Sequence, residues 1–272
     1  MQFQTALNDL GLRSNISVII MAGALLMSRL MPILLFSPFL GGETLEPEVK
    51  IGLGAMFAVV MFPAVEHSLP NIPMSAIPYV CLMLKELFIG LSLAFVVDMV
   101  FQAAQVAGHI LDTVSGSSNA QVMVPQIGHQ VTLFSSLKMQ LAIVLFLTLN
   151  GHHLVISALA DSFLVIPIDK YPPFSHGMWP FFDLILHVFN ELMKVSLSIA
   201  APAFVASFLA DLALGMVNRV APQVQVFFVS MQVKPMVVTV MTLVGIHLVL
   251  ERLVVEFKHM FDSLSQAIQL LS

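Results

Sequence analysis

Charge is what this sequence has least of. Of its 272 residues only 10% are charged and 58% are hydrophobic, whereas an ordinary soluble domain is roughly a quarter charged. Such a stock cannot cover a soluble surface, so the chain reads as an integral membrane protein. No two Lys or Arg residues are adjacent and the net charge is −5, so the basic footprint of a nucleic-acid binder is missing. The single cysteine, Cys81, excludes an intramolecular disulfide, and its apolar setting points to a packed thiol without redox chemistry. There is no phosphate-cradling Gly-rich loop, Gly-x-Ser-x-Gly elbow, His-Glu-x-x-His pair or cysteine cluster. No enzyme and no cofactor is expected. His152 and His153 are adjacent and would point about 100° apart on a helix, so neither forms a metal site without ligands from elsewhere.

What the chain does have is length in apolar runs. These are Ile16 to Leu40, Ile51 to Val65, Ile77 to Ile110, Leu133 to Ile168, Phe181 to Val217 and Val224 to Leu250. A hydrocarbon core of roughly 30 Å takes about 20 residues of helix to cross. The expectation is an all-α polytopic membrane protein, with residues 1–272 forming a single integral membrane domain. A polar stretch to Asn15 precedes the first run without a small-residue cleavage site, so that run is expected to stay in the mature protein. Turn chemistry separates the runs: Gly41-Gly42 with Glu43, Glu46, Pro47 and Glu48; then Pro70, Pro73 and Pro78; then Asp169, Lys170 and Pro172-Pro173.

Charges nonetheless interrupt the runs. Arg29, Lys85, Glu86, Asp98, Asp161, Lys194, Asp211 and Lys234 lie within them or at their edges. An ion at the bilayer centre costs at least about 2.5 kcal/mol and normally faces protein or a water-filled cavity. Many of these helices are therefore expected to face other protein. Asp98, Asp161 and Asp211 suit either a proton path or structural pairing.

Two stripes carry further information. Asp98, Gln102, Gln105, His109 and Asp112 recur at four-three spacing and share one helical face. That face lines a pore, or it is the solvated side of a helix lying on the membrane surface. The segment that follows is uncharged but rich in small and polar residues, including Ser115, Gly116, Ser117, Ser118, Asn119, Gln121, Met123, Pro125 and Gln126. Irregular backbone at membrane depth is tolerated only against protein or a water-lined cavity, so this segment is either a plug or an external loop. A second stripe, Ser196, Ala200, Ala203, Ser207 and Ala210, lets another helix approach closely, inside the chain or from another subunit.

Several blocks together resemble the FliR/SctT family (SpaR/YscT), the export-gate membrane subunit of flagellar and virulence type III secretion systems. They are Arg29 through Pro38 with Gly41, Glu86 through Gly90, Ala107 through Asp112 leading to Gly116, and Pro125-Gln126. Asn150-Gly151-His152-His153 follows, with Ser162-Phe163 and Ile166-Pro167, and then Asn218 through Phe227. The resemblance covers nearly the whole chain. Gln232 departs from it, standing where the family usually has proline, and Ser230-Met231 is more like the virulence branch.

The resemblance implies bent helical hairpins of export-gate type in the bacterial inner membrane. It implies a hetero-oligomer with FliP/SctR-like and FliQ/SctS-like sister subunits, contact with the FlhB/SctU-like switch protein, and unfolded secreted proteins as cargo. On that reading the Asp98 stripe approaches the conduit and Asp112 to Gly128 includes the plug. The small-residue stripe, with Arg219, Gln223 and Lys234, contacts neighbouring subunits. The alternative from another class is a self-contained secondary transporter for a small solute, with the three aspartates as coupling carboxylates.

Overall fold

The computed structural model describes residues 16–40, 45–73, 75–116, 133–171 and 179–271. Every regular element among these is helical: α1 (Ile16–Phe36), α2 (Pro47–Val65), α3 (Ala76–Ser115), α4 (Leu133–Thr148), α5 (Gly151–Val165), α6 (Trp179–Val220), α7 (Val226–Val244) and α8 (Ile246–Leu270). Short 3-10 helices cover Pro38–Leu40 and Glu66–Asn71. By length and composition α1, α2, α3, α6 and α7 can each cross a membrane, and α4 with α5 qualify when taken together. The chain is thus an all-α, multi-pass membrane protein.

The helix ends follow the turn chemistry. Pro47 opens α2, where its missing N–H is no loss, and Pro78 lies in the first turn of α3. The Pro172-Pro173 turn lies outside the described residues. Two boundaries differ from the apolar runs. Leu133 to Ile168 is broken at Asn150, which adopts a left-handed φ of 56° that asparagine tolerates better than most residues. Gly151 follows because a Cβ there would collide with the Phe146 ring. The last run, expected to end at Leu250, divides at Gly245, and α8 continues to Leu270. Buried Leu253, Phe257, Met260, Leu264 and Ala267 lie on one face of α8, while Glu251, Arg252, Lys258, His259 and Asp262 are exposed.

The described residues fall into two compact units. The first holds residues up to Val97, His153–Leu184 and the end of the chain from Asp262. Its core is built on Leu25, Leu26 and Ile33 of α1 with Leu82, Ile89 and Leu93 of α3, all at most 1% exposed. Gly90 lets α3 meet α1 backbone to backbone, since a Cβ there would strike the Arg29 carbonyl. The second unit holds Asp98–His152 and Ile185–Phe261. At its centre Phe101, Phe146 and Phe257 form a ring triad with centroids 5.1 to 5.5 Å apart, a spacing that favours aromatic contact. Gly108 is tight against the backbone of Ser135, so α3 and α4 also approach closely.

Candidate functional site

In the first unit the interrupting charges are drawn together. Arg29 of α1 is fully buried. Its Nε and Nη2 donate to the two carboxylate oxygens of Glu86 on α3, the latter at 2.9 Å. Nη1 donates to the Ser162 carbonyl at 2.8 Å and its hydroxyl at 3.2 Å, and Nη2 reaches the Ile166 carbonyl at 2.9 Å. The guanidinium also stacks 4.3 Å from the Phe163 ring centroid. Lys85 pairs with Glu86 at 2.6 Å and donates to the Pro167 and Lys170 carbonyls at 2.9 and 3.0 Å. Two cations thus share one carboxylate, and the carbonyls of Ser162 in the last turn of α5 and of Ile166, Pro167 and Lys170 in the chain just beyond it supply the rest. These ions are satisfied within the chain itself, where the sequence led us to expect helices facing other protein. Asp161, by contrast, is exposed, and so is Cys81, which the sequence suggested would be packed.

In the second unit the polar stripe of α3 is pinned at both ends. Asp98 is 8% exposed, accepts a bond from Gln102 at 3.1 Å, and leaves its Oδ1 without a partner among the described residues. Gln102 and Gln105 are half-buried and His109 is exposed. Asp112 is buried, and its two oxygens accept the Phe134 and Ser135 amides, both at 3.0 Å. A carboxylate there satisfies orphan donors at the start of α4 and complements its dipole. His109 Nε2 lies 3.2 Å from the Ser135 hydroxyl. Ser115 is buried with its hydroxyl on the Asp112 carbonyl at 3.1 Å, and Gly116 takes a left-handed φ of 78° as α3 ends. Of the expected plug, Ser117, Ser118, Asn119, Gln121, Met123, Pro125 and Gln126 lie outside the described residues.

The small-residue stripe runs along α6. Ser196, Ala200, Ala203 and Ser207 are buried inside the chain, with the Ser207 hydroxyl on the Val114 carbonyl at 3.3 Å, and Ala210 is half-buried. Lys234 of α7 pairs with Asp211 of α6 at 3.0 Å, while Arg219 and Gln223 at the hairpin tip are exposed. Apolar side chains crowd that tip without cover: Met216 is 66% exposed, Val220 85% and Phe227 64%. Only 6% of the most apolar stretch of α7 is buried within the chain, against 56% for α3.

Two features escaped the sequence reading. One is the joining of Arg29, Lys85 and Glu86, which α5 completes from far along the chain. The other is Lys138, the one Lys, Arg, Asp or Glu in α4, only 2% exposed and facing a cleft of about 150 Å³ with Thr242 and Arg252. Its isolation in an apolar helix was the available signal. Arg252 holds Glu256 at 2.8 Å; burial raises the carboxyl of Glu256 above its ordinary range, and Arg252 and His259 oppose that shift. No His, Cys, Asp or Glu cluster among the described residues suits a metal.

The family described as bacterial export proteins, family 1, matches residues 20–260. The chain is 32% identical to the flagellar biosynthetic protein FliR of Bacillus subtilis (strain 168), over 76% of this chain and 79% of that protein. It is 31% identical to FliR of Pectobacterium carotovorum subsp. carotovorum, over 90% of this chain and 91% of the relative. It is 27% identical to the Yop proteins translocation protein T of Yersinia pestis, over 81% and 84% respectively. This chain belongs to the bacterial export proteins, family 1.

Proposed function

We propose that this protein is a membrane subunit of the type III secretion export gate, where it helps form and plug the inner-membrane pore through which unfolded proteins are exported. The observation that carries this reading is the family match across residues 20–260, with relatives from both flagellar and virulence systems. It acts as a component of the export apparatus, not as an enzyme. Physical support comes from α6 and α7, long apolar helices that bury little of their surface within the chain. Lipid or neighbouring subunits must cover the remainder.

Within the gate the single membrane domain assembles with FliP/SctR-like and FliQ/SctS-like subunits and meets the FlhB/SctU-like switch protein. Asp98, Gln102, Gln105, His109 and Asp112 form the side of α3 that approaches the conduit. Ser115 through Gln126 form the plug. Subunit contact falls to the exposed end of the α6–α7 hairpin, at Ala210, Arg219, Gln223 and Lys234. The Ser196-to-Ser207 stretch of the small-residue stripe already packs inside the chain.

Co-expression with the two sister subunits tests the assignment. The expected result is a stable complex that co-purifies in detergent, with low yield of this chain when it is expressed alone. A stable monomer that binds and couples transport of a small solute overturns the export-gate reading in favour of a secondary transporter. Deleting Ser115 to Gln121 in the complex is expected to make the membrane leak ions. Unchanged permeability would remove the plug from the proposal.

A further inference from the structure

The buried cation of α4 has no use in the function proposed above. Lys138 makes no hydrogen bond or ion pair among the described residues, although it is 2% exposed. An ammonium taken out of water without a counter-ion carries an uncompensated desolvation cost. It lines the cleft of about 150 Å³ formed in the second unit by α4, α6, α7 and α8. No carboxylate among the described residues lines that cleft. Two further donors do: Thr242, whose buried hydroxyl oxygen has no partner among the described residues, and Arg252, whose Nη2 is on Glu256 and whose other nitrogens have no bond among them.

The walls say what kind of anion fits. Pro202, Met241 and Leu248 make them apolar, so the charged group should arrive with hydrocarbon attached. The cleft also lies where the apolar span α7 ends at Val244 and the charged, amphipathic α8 begins. Such a change in composition along consecutive membrane helices is what the passage from acyl chains to headgroups calls for. Basic pockets between membrane helices at that level hold acidic headgroups. We propose that this cleft is a binding site for the phosphate of an acidic phospholipid, with Lys138 as its principal cation and Thr242 and Arg252 as further donors.

The full-length protein in neutral detergent should be titrated in parallel with short-chain phosphatidylglycerol, short-chain phosphatidylcholine and inorganic phosphate. Thermal midpoint and native mass spectrometry serve as readouts. Phosphatidylglycerol is expected to raise the midpoint and to remain bound in the gas phase, and the other two to do neither. Lys138→Met is expected to raise the lipid-free midpoint, because it removes an unpaired ion, while weakening phosphatidylglycerol binding by at least about tenfold. Lys138→Arg should retain binding and Thr242→Val should weaken it less. Equal phosphatidylglycerol affinity in Lys138→Met overturns the site. An equal response to inorganic phosphate or to phosphatidylcholine overturns its selectivity for an acidic lipid.

Discussion

Arg29 and Lys138 are both cations buried in apolar helices, and the chain treats them in opposite ways. Arg29 has a bidentate carboxylate, a hydroxyl, two carbonyls and an aromatic face around it. Lys138 has no polar partner among the described residues and an open cleft beside it. The first arrangement is closed and can only hold the fold together. The second is incomplete, and an incomplete charge at a cleft is a site awaiting an anion. Burial alone therefore says little about the role of an intramembrane ion; the number of satisfied donors decides it.

Substitutions can break or sharpen this contrast. Glu86→Gln leaves two buried cations without their shared carboxylate, and should cost roughly 3–5 kcal/mol. Loss of folded protein in detergent would report it, and a near-neutral thermal midpoint would mean that the carbonyls alone suffice. Lys138→Met should move the same midpoint the other way, stabilising the lipid-free protein by about 1–4 kcal/mol. If it destabilises, Lys138 is structural and the contrast fails. Asp112→Ala removes a carboxylate that serves the start of α4 from another helix, and about 1–2 kcal/mol should be lost. Hydrogen exchange should then speed up at the Phe134 and Ser135 amides ahead of the rest of α4. Lys234→Gln, at a partly exposed pair with Asp211, should change stability by no more than about 1 kcal/mol. Any effect of that variant on complex yield would then belong to subunit contact.

The helices were largely legible in the sequence because apolar composition and Pro or Gly punctuation both mark them. Asn150-Gly151 was visible as a motif but not as a break, since apolar residues continue on both sides and length alone admits one bent run. The part of α8 beyond Leu250 was missed for the opposite reason: its apolar residues occupy one face among charges, and an apolar run does not contain them. The need to shelter Arg29, Lys85 and Glu86 could be read from composition. Their joining could not, because it depends on where α5 delivers Ser162 and Ile166. The four-three stripe of α3 was found, yet its two aspartates are the buried members, one bonded within its own helix and the other capping α4.

The 42 residues of α6, with Pro202 among them, trace about 60 Å of helix at the helical rise. Drawn straight and leaning by about 40°, that length would reach through roughly 45 Å, well beyond the acyl layer. Part of its greasy surface must then project into water whenever the subunit is by itself. A newly made copy is consequently a poor long-term resident of the cell, and turnover should match its abundance to that of its neighbours: pulse-chase labelling should find a shorter half-life when they are deleted.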